Sequence, residues 1–337
     1  MNKLFICNED LVETEYLRRE FELAPNLVDP NTLQLGNEVG IIACTDPSNW
    51  TRLLLNTQPK SIIFFLLGNE TYDKNKYEFL NQFSSIRHVF IYNPPRKSSK
   101  FGFIALLDWI IRVPGDIKSK YLFFAWKFAL EMRSKAGSVE ITYPWSNLPL
   151  GYTNQFVKQL PDSAISASQS LVDNWPILNS TRNTERDRQV RFMGQIGTWY
   201  RKELITYFSR FTEFEYVESS GWAGSSQSGY FEILQSSTFI LCPPGIYTNE
   251  TFRYYESIIC GALPIAPIDT LHDLHSSNYW SQILPFHAKH SHIALYRKLK
   301  KMSNSEISEY LSHSRELFEN EIRAVRSKLQ ELLYEKI

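Results

Sequence analysis

Residues 239–267 read FILCPPGIYTNETFRYYESIICGALPIAP, and their types and spacing suit the capture of a phosphorylated ligand. An apolar, β-rich run ends in Pro-Pro-Gly, a short polar loop follows, and the spacing predicts a helix opening at Asn249. Asn is a favoured N-cap, and Glu250 in the first turn would suit the positive end of the helix. In open α/β sheets, ligands bind beyond the carboxyl ends of strands, where helix starts present free N–H groups to phosphate. Gly245, Asn249 and Thr251 fall within this candidate phosphate site. Arg253 is placed to give a charge-assisted bond to a phosphate oxygen. Glu256, three residues on and on the same helix face, is placed to accept hydrogen bonds from both hydroxyls of a ribose. The competing reading is an i,i+3 surface ion pair between Arg253 and Glu256. Gly261 is expected to end the helix, with Ala262 packing tightly against a returning strand.

The elements that must position these residues alternate in type. Residues 3–7, 40–44, 61–67 and 88–92 are nearly continuous apolar runs, rich in β-branched and aromatic residues, as expected of buried strands. Helical segments around 74–83 and 118–133 intervene. Strands separated by helices predict a parallel sheet covered on both faces. The stretch 179–189 (NSTRNTERDRQ) is polar, without hydrophobic period, and reads as a linker. The alternation then resumes with strands at 191–195, 237–245 and 262–267 and helices at 198–211 and 249–261. The last 30 or so residues keep apolar side chains at three-and-four spacing, from Ile307 to Leu333, which predicts a long amphipathic helix. The expected plan is α/β, with two Rossmann-like domains, residues 1–165 and 186–337, facing a central cleft and ending in that helix.

Composition excludes several classes. Lys plus Arg and Asp plus Glu both total 36, so formal net charge is zero and a nucleic-acid binder working by bulk electrostatics is not expected. No segment approaches the roughly 18 uninterrupted apolar residues that span a bilayer. The opening MNKLFICNED has only a four-residue apolar stretch, far short of a signal-peptide core. Cys7, Cys44, Cys242 and Cys260 sit in or beside apolar runs without metal-ligand spacing and read as buried thiols. A reduced, cytoplasmic setting is the expectation, with at most peripheral membrane association. HDLH (272–275) and HAKHSH (287–292) have metal-like spacing but no Cys partner, and no metal site is expected.

The 239–267 stretch resembles the donor-binding signature of exostosin-type glycosyltransferases: Cys-Pro-x-Gly, a loop, Phe-Arg-x-x-Glu and Gly-x-x-Pro-Ile. It stands here as Cys242, Pro243, Gly245, Phe252, Arg253, Glu256, Gly261, Pro264 and Ile265. The resemblance implies that Glu256 holds a nucleotide ribose and that Arg253 lies near the diphosphate. FMGQIGTWYRKEL (192–204) resembles the first strand and Gly-rich turn of that family's C-terminal domain. There Gly194 and Gly197 would let backbone approach the ligand, Thr198 would cap the next helix, and Arg201 would reach the phosphates. LPLGYTNQF (148–156) resembles the Pro-Leu-Gly-Tyr segment before the interdomain connection, as in the ribitol xylosyltransferase-like branch. FFLLGNETYDKNKY (64–77) occupies the place where that branch carries His-x-x and an Asp-Glu pair. Here the His is absent and Asn69 replaces the Asp, which leaves Glu70 as candidate general base.

What the resemblance implies is a two-domain, GT-B type glycosyltransferase. It would move a sugar from a nucleoside diphosphate sugar, with uridine diphosphate favoured, to a glycan or lipid-linked saccharide acceptor. The chain contains no Asp-x-Asp motif. Charge on the leaving diphosphate would then fall to a helix N-terminus and to Arg201 and Arg253, with no metal and no other cofactor. Trp222, in a Gly/Ser-rich loop at 219–230, would stack on a base or sugar or belong to the core. Two other readings remain: a fucosyltransferase-like enzyme using a purine nucleotide sugar, and a scaffold that binds nucleotide or glycan without transfer.

Overall fold

The computed structural model describes residues 4–6, 11, 13–36, 38–67, 74–92, 140–160, 169–174, 187–194, 199–218, 229–243, 251–265 and 292–334. They form two parallel sheets. The first half carries β1 (Leu4–Ile6), α1 (Thr14–Phe21), β2 (Pro25–Leu27), β3 (Gly40–Cys44), α2 (Thr51–Asn56), β4 (Ile62–Leu66), α3 (Lys74–Leu80), β5 (Ile86–Ile91), β6 (Trp145–Asn147) and α4 (Asn154–Lys158). The second carries β7 (Asp187–Gly194), α5 (Trp199–Phe208), β8 (Phe214–Glu218), α6 (Tyr230–Ser236), β9 (Ser237–Leu241), α7 (Phe252–Ile259), β10 (Leu263–Ile265), α8 (His292–Lys301) and α9 (Asn304–Tyr334).

The six-stranded sheet has the order β2-β1-β3-β4-β5-β6 and the four-stranded sheet β10-β9-β7-β8. Both place the first strand of the half between its second and its third, the doubly wound arrangement. In such sheets successive connections leave in opposite directions from the first strand, and a crevice opens at the carboxyl ends where they part. In the second sheet this point lies between β7 and β9, at Gly194 and Leu241.

The central strands match their sequence expectation because both faces are covered. Every residue of β3, β4, β5 and β9 is buried, so each must be apolar or find a partner. The unexpected strands β2, β6 and β8 are edges, with exposed or half-buried residues such as Leu27 and Trp145. An edge strand needs only one neighbour and half a dry face, so its sequence carries no long apolar run. The helix expected at 118–133 lies outside the described residues.

Three apolar clusters result. One fills the outer face of the first sheet around Trp50, Phe64 and Leu80, and another that of the second around Phe192, Phe208 and Phe239. The third is continuous across both halves. It joins Ile41, Phe65 and Phe90 of the first sheet to Met193 and Ile240 of the second through Tyr16, Phe156, Tyr255, Phe318 and Ile322. Helix α9 spans this shared core, and its buried residues Phe318, Ile322, Val325, Leu329 and Leu332 follow the expected three-and-four spacing. No helix among the described residues is long and apolar enough to cross a membrane.

Candidate functional site

Helix α7 starts later than the sequence suggests. Thr251 has extended backbone (φ −135°, ψ 146°) and is the N-cap, so the first helical residue is Phe252. Asn249 is therefore not the cap, and no acidic residue lies in the first turn. The β-branched Thr251 accepts the extended conformation, and its carbonyl takes the N–H of Tyr254 at 3.0 Å. Its hydroxyl does not cap the helix. Gly261 does end it, with φ +74°. The N–H groups of Gly261 and Ala262 donate to Ile258 and Ser257, closing a Schellman turn that leads straight into β10.

The start of α7 lies beside the carboxyl end of β7. The Arg253 guanidinium lies over the Phe192 ring, with its carbon 4.8 Å from the ring centroid, and Phe192 stacks on Tyr216 of β8. The Tyr216 hydroxyl donates to the Gly194 carbonyl at 3.2 Å. Arg253 Nη2 comes so close to Gly194 that a Cβ there would lie 2.6 Å from it. Aromatic stacking thus aims a cation at the carboxyl end of β7. Two polar atoms at this point are buried and have no protein partner, the Thr251 hydroxyl and Arg253 Nε. Leaving such a group dry costs about 1–3 kcal/mol, which a ligand or water reaching it would recover.

Glu256, one turn further, is only 2% exposed and makes no ion pair with Arg253. Its Oε1 accepts from the Thr153 N–H at 3.1 Å and the Thr153 hydroxyl at 2.8 Å, and its Oε2 accepts from the Tyr230 hydroxyl at 2.6 Å. Burial pushes its carboxyl pKa up, against the pull of these donors and of Arg253. Burial, and then the carboxylate, push the Tyr230 phenol well above its ordinary range. An ionised carboxylate offers about four acceptor positions, and three are taken. Both oxygens on which the motif implies a bidentate ribose grip already accept from protein donors.

Thr153 belongs to the 149–153 turn of the first half. Gly151 (φ +73°) sits against the Tyr16 ring, where a Cβ would lie 2.5 Å from a ring carbon. Tyr152, fully buried, donates to Glu20 at 2.7 Å. The Thr153 hydroxyl donates to Glu256 and also caps α4 by accepting from the Phe156 N–H. The Pro-Leu-Gly-Tyr-Thr segment is therefore a hub between halves, and Thr153 and Tyr230 are partners that sequence reasoning missed. Thr153 was detectable as a Thr three residues before Phe156 at a helix start; nothing around Tyr230 announced its role.

Of the other candidates, Gly194 joins Arg253 and Thr251. Arg201 is half-buried in the first turn of α5, which follows β7. Thr198, directly before that helix, and Glu70, Gly197, Trp222, Gly245 and Asn249 lie outside the described residues. The same holds for His272, His275, His287 and His290. Cys242, at the end of β9, is buried, and burial pushes its thiol up to about 12, so it is an inert core group.

The chain matches no protein-family model and no curated protein.

Proposed function

We propose that this chain is a metal-independent glycosyltransferase of the GT-B type, with its donor site at the β7–β9 crevice. One observation carries the reading: Thr251 and Arg253 present unpartnered, buried polar atoms at an uncapped helix start, at the switch point of a doubly wound sheet. A diphosphate satisfies all of these at once. Its oxygens take the guanidinium, the Thr251 hydroxyl and the first-turn N–H groups, and the helix dipole favours its charge. The exostosin-like spacing of Cys242, Pro243, Arg253, Glu256 and Gly261 supports a nucleoside diphosphate sugar, with uridine as base.

In the reaction, the bond between the anomeric carbon and the diphosphate oxygen breaks while an acceptor hydroxyl bonds to that carbon. The diphosphate leaves with the electron pair, and the acceptor proton passes to a base, for which Glu70 is the candidate. Arg253, held against Phe192 before any substrate arrives, stabilises charge as it develops on the leaving group. Glycans or lipid-linked saccharides are the acceptors this reading favours, in a cytoplasmic setting.

The test is a panel of nucleotide sugars against thermal unfolding of the full chain, followed by calorimetry. Uridine diphosphate and one of its sugars should raise the melting temperature, and Arg253→Ala should weaken binding roughly 10- to 100-fold. If no nucleoside diphosphate protects the protein at millimolar concentration, the reading fails. A binding protein of the same fold, without transfer, is the second reading, favoured by the engagement of Glu256 with protein donors. Release of free sugar and nucleotide from a bound donor, followed by mass spectrometry, decides against it.

A further inference from the structure

Glu256 touches three elements at once, and only one of them belongs to the candidate donor site. Its backbone is in α7, three residues from Arg253. Oε1 reaches the cap of α4 in the first half, and Oε2 reaches the first residue of α6. The Thr153 hydroxyl has one proton to donate and gives it to Oε1, while its oxygen accepts from the Phe156 N–H. Tyr230 is 4% exposed, so it finds no water as a substitute. Any rotation of α7 about its axis that moves Arg253 away from Phe192 also drags the carboxylate off both partners.

We propose that Glu256 is a positioning residue that ties the aim of Arg253 to the junction between the halves, through Thr153 and Tyr230, rather than a direct contact to the ribose. The inference rests on the reading of the Arg253 crevice as a nucleoside diphosphate site. It predicts that donor affinity depends on residues that never touch the nucleotide. It also predicts that they act as one unit, because the bonds from Thr153 and Tyr230 converge on the same carboxylate.

The experiment titrates the full chain with uridine diphosphate and with its 2′-deoxy and 3′-deoxy analogues, for the wild type, Glu256→Gln, Tyr230→Phe, Thr153→Val and Thr153→Ser. Thr153→Ser keeps the hydroxyl and should bind as wild type. The other three should each weaken uridine diphosphate by about two- to thirtyfold. The double variant Tyr230→Phe/Glu256→Gln should be no weaker than Glu256→Gln alone. Removing a ribose hydroxyl should cost the same factor in wild type and in Glu256→Gln. Should that factor vanish in Glu256→Gln, the carboxylate is a ribose ligand and the proposal is overturned. Independent, multiplying effects of Tyr230 and Glu256, with nucleotide binding otherwise intact, overturn it as well. Tyr230→Phe and Thr153→Val keep side-chain volume, so where Glu256→Gln does not fold they carry the test alone: their double variant should be no weaker than the more affected single one, and effects that multiply overturn the proposal. If the wild type binds no nucleoside diphosphate, the functional reading itself falls and takes the proposal with it.

Discussion

At the scale of single residues, the candidate site depends on an absent side chain as much as on a charged one. Gly194 leaves the space that Arg253 Nη2 occupies, 2.6 Å from where a Cβ would stand. The nearest atom is the tip of a long flexible side chain, but Gly194 also has φ +159°, so Gly194→Ala should strain the backbone there as well as push the guanidinium off Phe192. Calorimetry should then find uridine diphosphate binding weakened about tenfold, as for a lost charge-assisted contact. His88 of β5 offers a separate test by pH. Its Nε2 pairs with the Ser146 hydroxyl at 2.9 Å, and its Nδ1 is buried without a partner. Burial first, and then Lys328 of α9, push its pKa down to about 4 from 6.5, with Glu331 opposing. The unfolded chain takes up this proton below about pH 6.5 and the folded chain only near 4. Stability from His88 is therefore full above that window and falls on acidification through it, by at most about 3 kcal/mol. The buried carboxyls of Glu20 and Glu256, whose pKa values burial raises, act in the opposite direction. The check is consequently a difference: between pH 7 and pH 4.5, the urea midpoint of wild type should fall further than that of His88→Asn.

Among elements, helix α9 is bound to the first half by charge as well as by apolar packing. Arg326 donates to the Glu20 carbonyl at 2.6 Å, to the Glu20 carboxylate at 2.9 Å and to Asp173 at 2.9 Å. Glu20 is 1% exposed and also accepts from Tyr152, Ser170 and the N–H of Leu171. Arg326→Met keeps the aliphatic stem but leaves a buried carboxylate short of its cation, at a cost of about 3 kcal/mol in urea unfolding. Arg323 on the same helix pairs with Glu319 at 3.0 Å, but it is 59% exposed. Arg323→Met should change stability by less than about 0.5 kcal/mol. Equal effects at the two positions would mean that the Glu20 cluster does not hold α9 in place.

Over the whole molecule, the two sheets share one apolar cluster and two buried carboxylate hubs. Halves that merely faced each other across a wet cleft would melt separately. Here α9 and the 149–153 turn are packed between them, so removing either half exposes the other's core. Unfolding by urea should be a single transition, coincident by tryptophan fluorescence and far-UV circular dichroism. Two resolved transitions would show that the shared core contributes little to either half.

The α/β class, the central strands, the terminal helix and the end of α7 at Gly261 were all legible in the sequence. These are local or periodic properties: a strand dry on both faces must be apolar throughout, and a left-handed helix end favours glycine. The sequence also singled out Arg253 and Glu256 as candidates, because their spacing puts both on one face of a helix. What each of them meets depends on residues far along the chain that folding brings in. The edge strands β2, β6 and β8 escaped notice because one wet face leaves no apolar run, and the cap moved from Asn249 to Thr251 because flanking geometry selects among nearby polar residues. Glu256 looked like an open acceptor until Thr153, 103 residues before it, and Tyr230 were folded onto its oxygens. Spacing along a chain tells which face of a helix a carboxylate lies on, and nothing about which distant donors arrive there first.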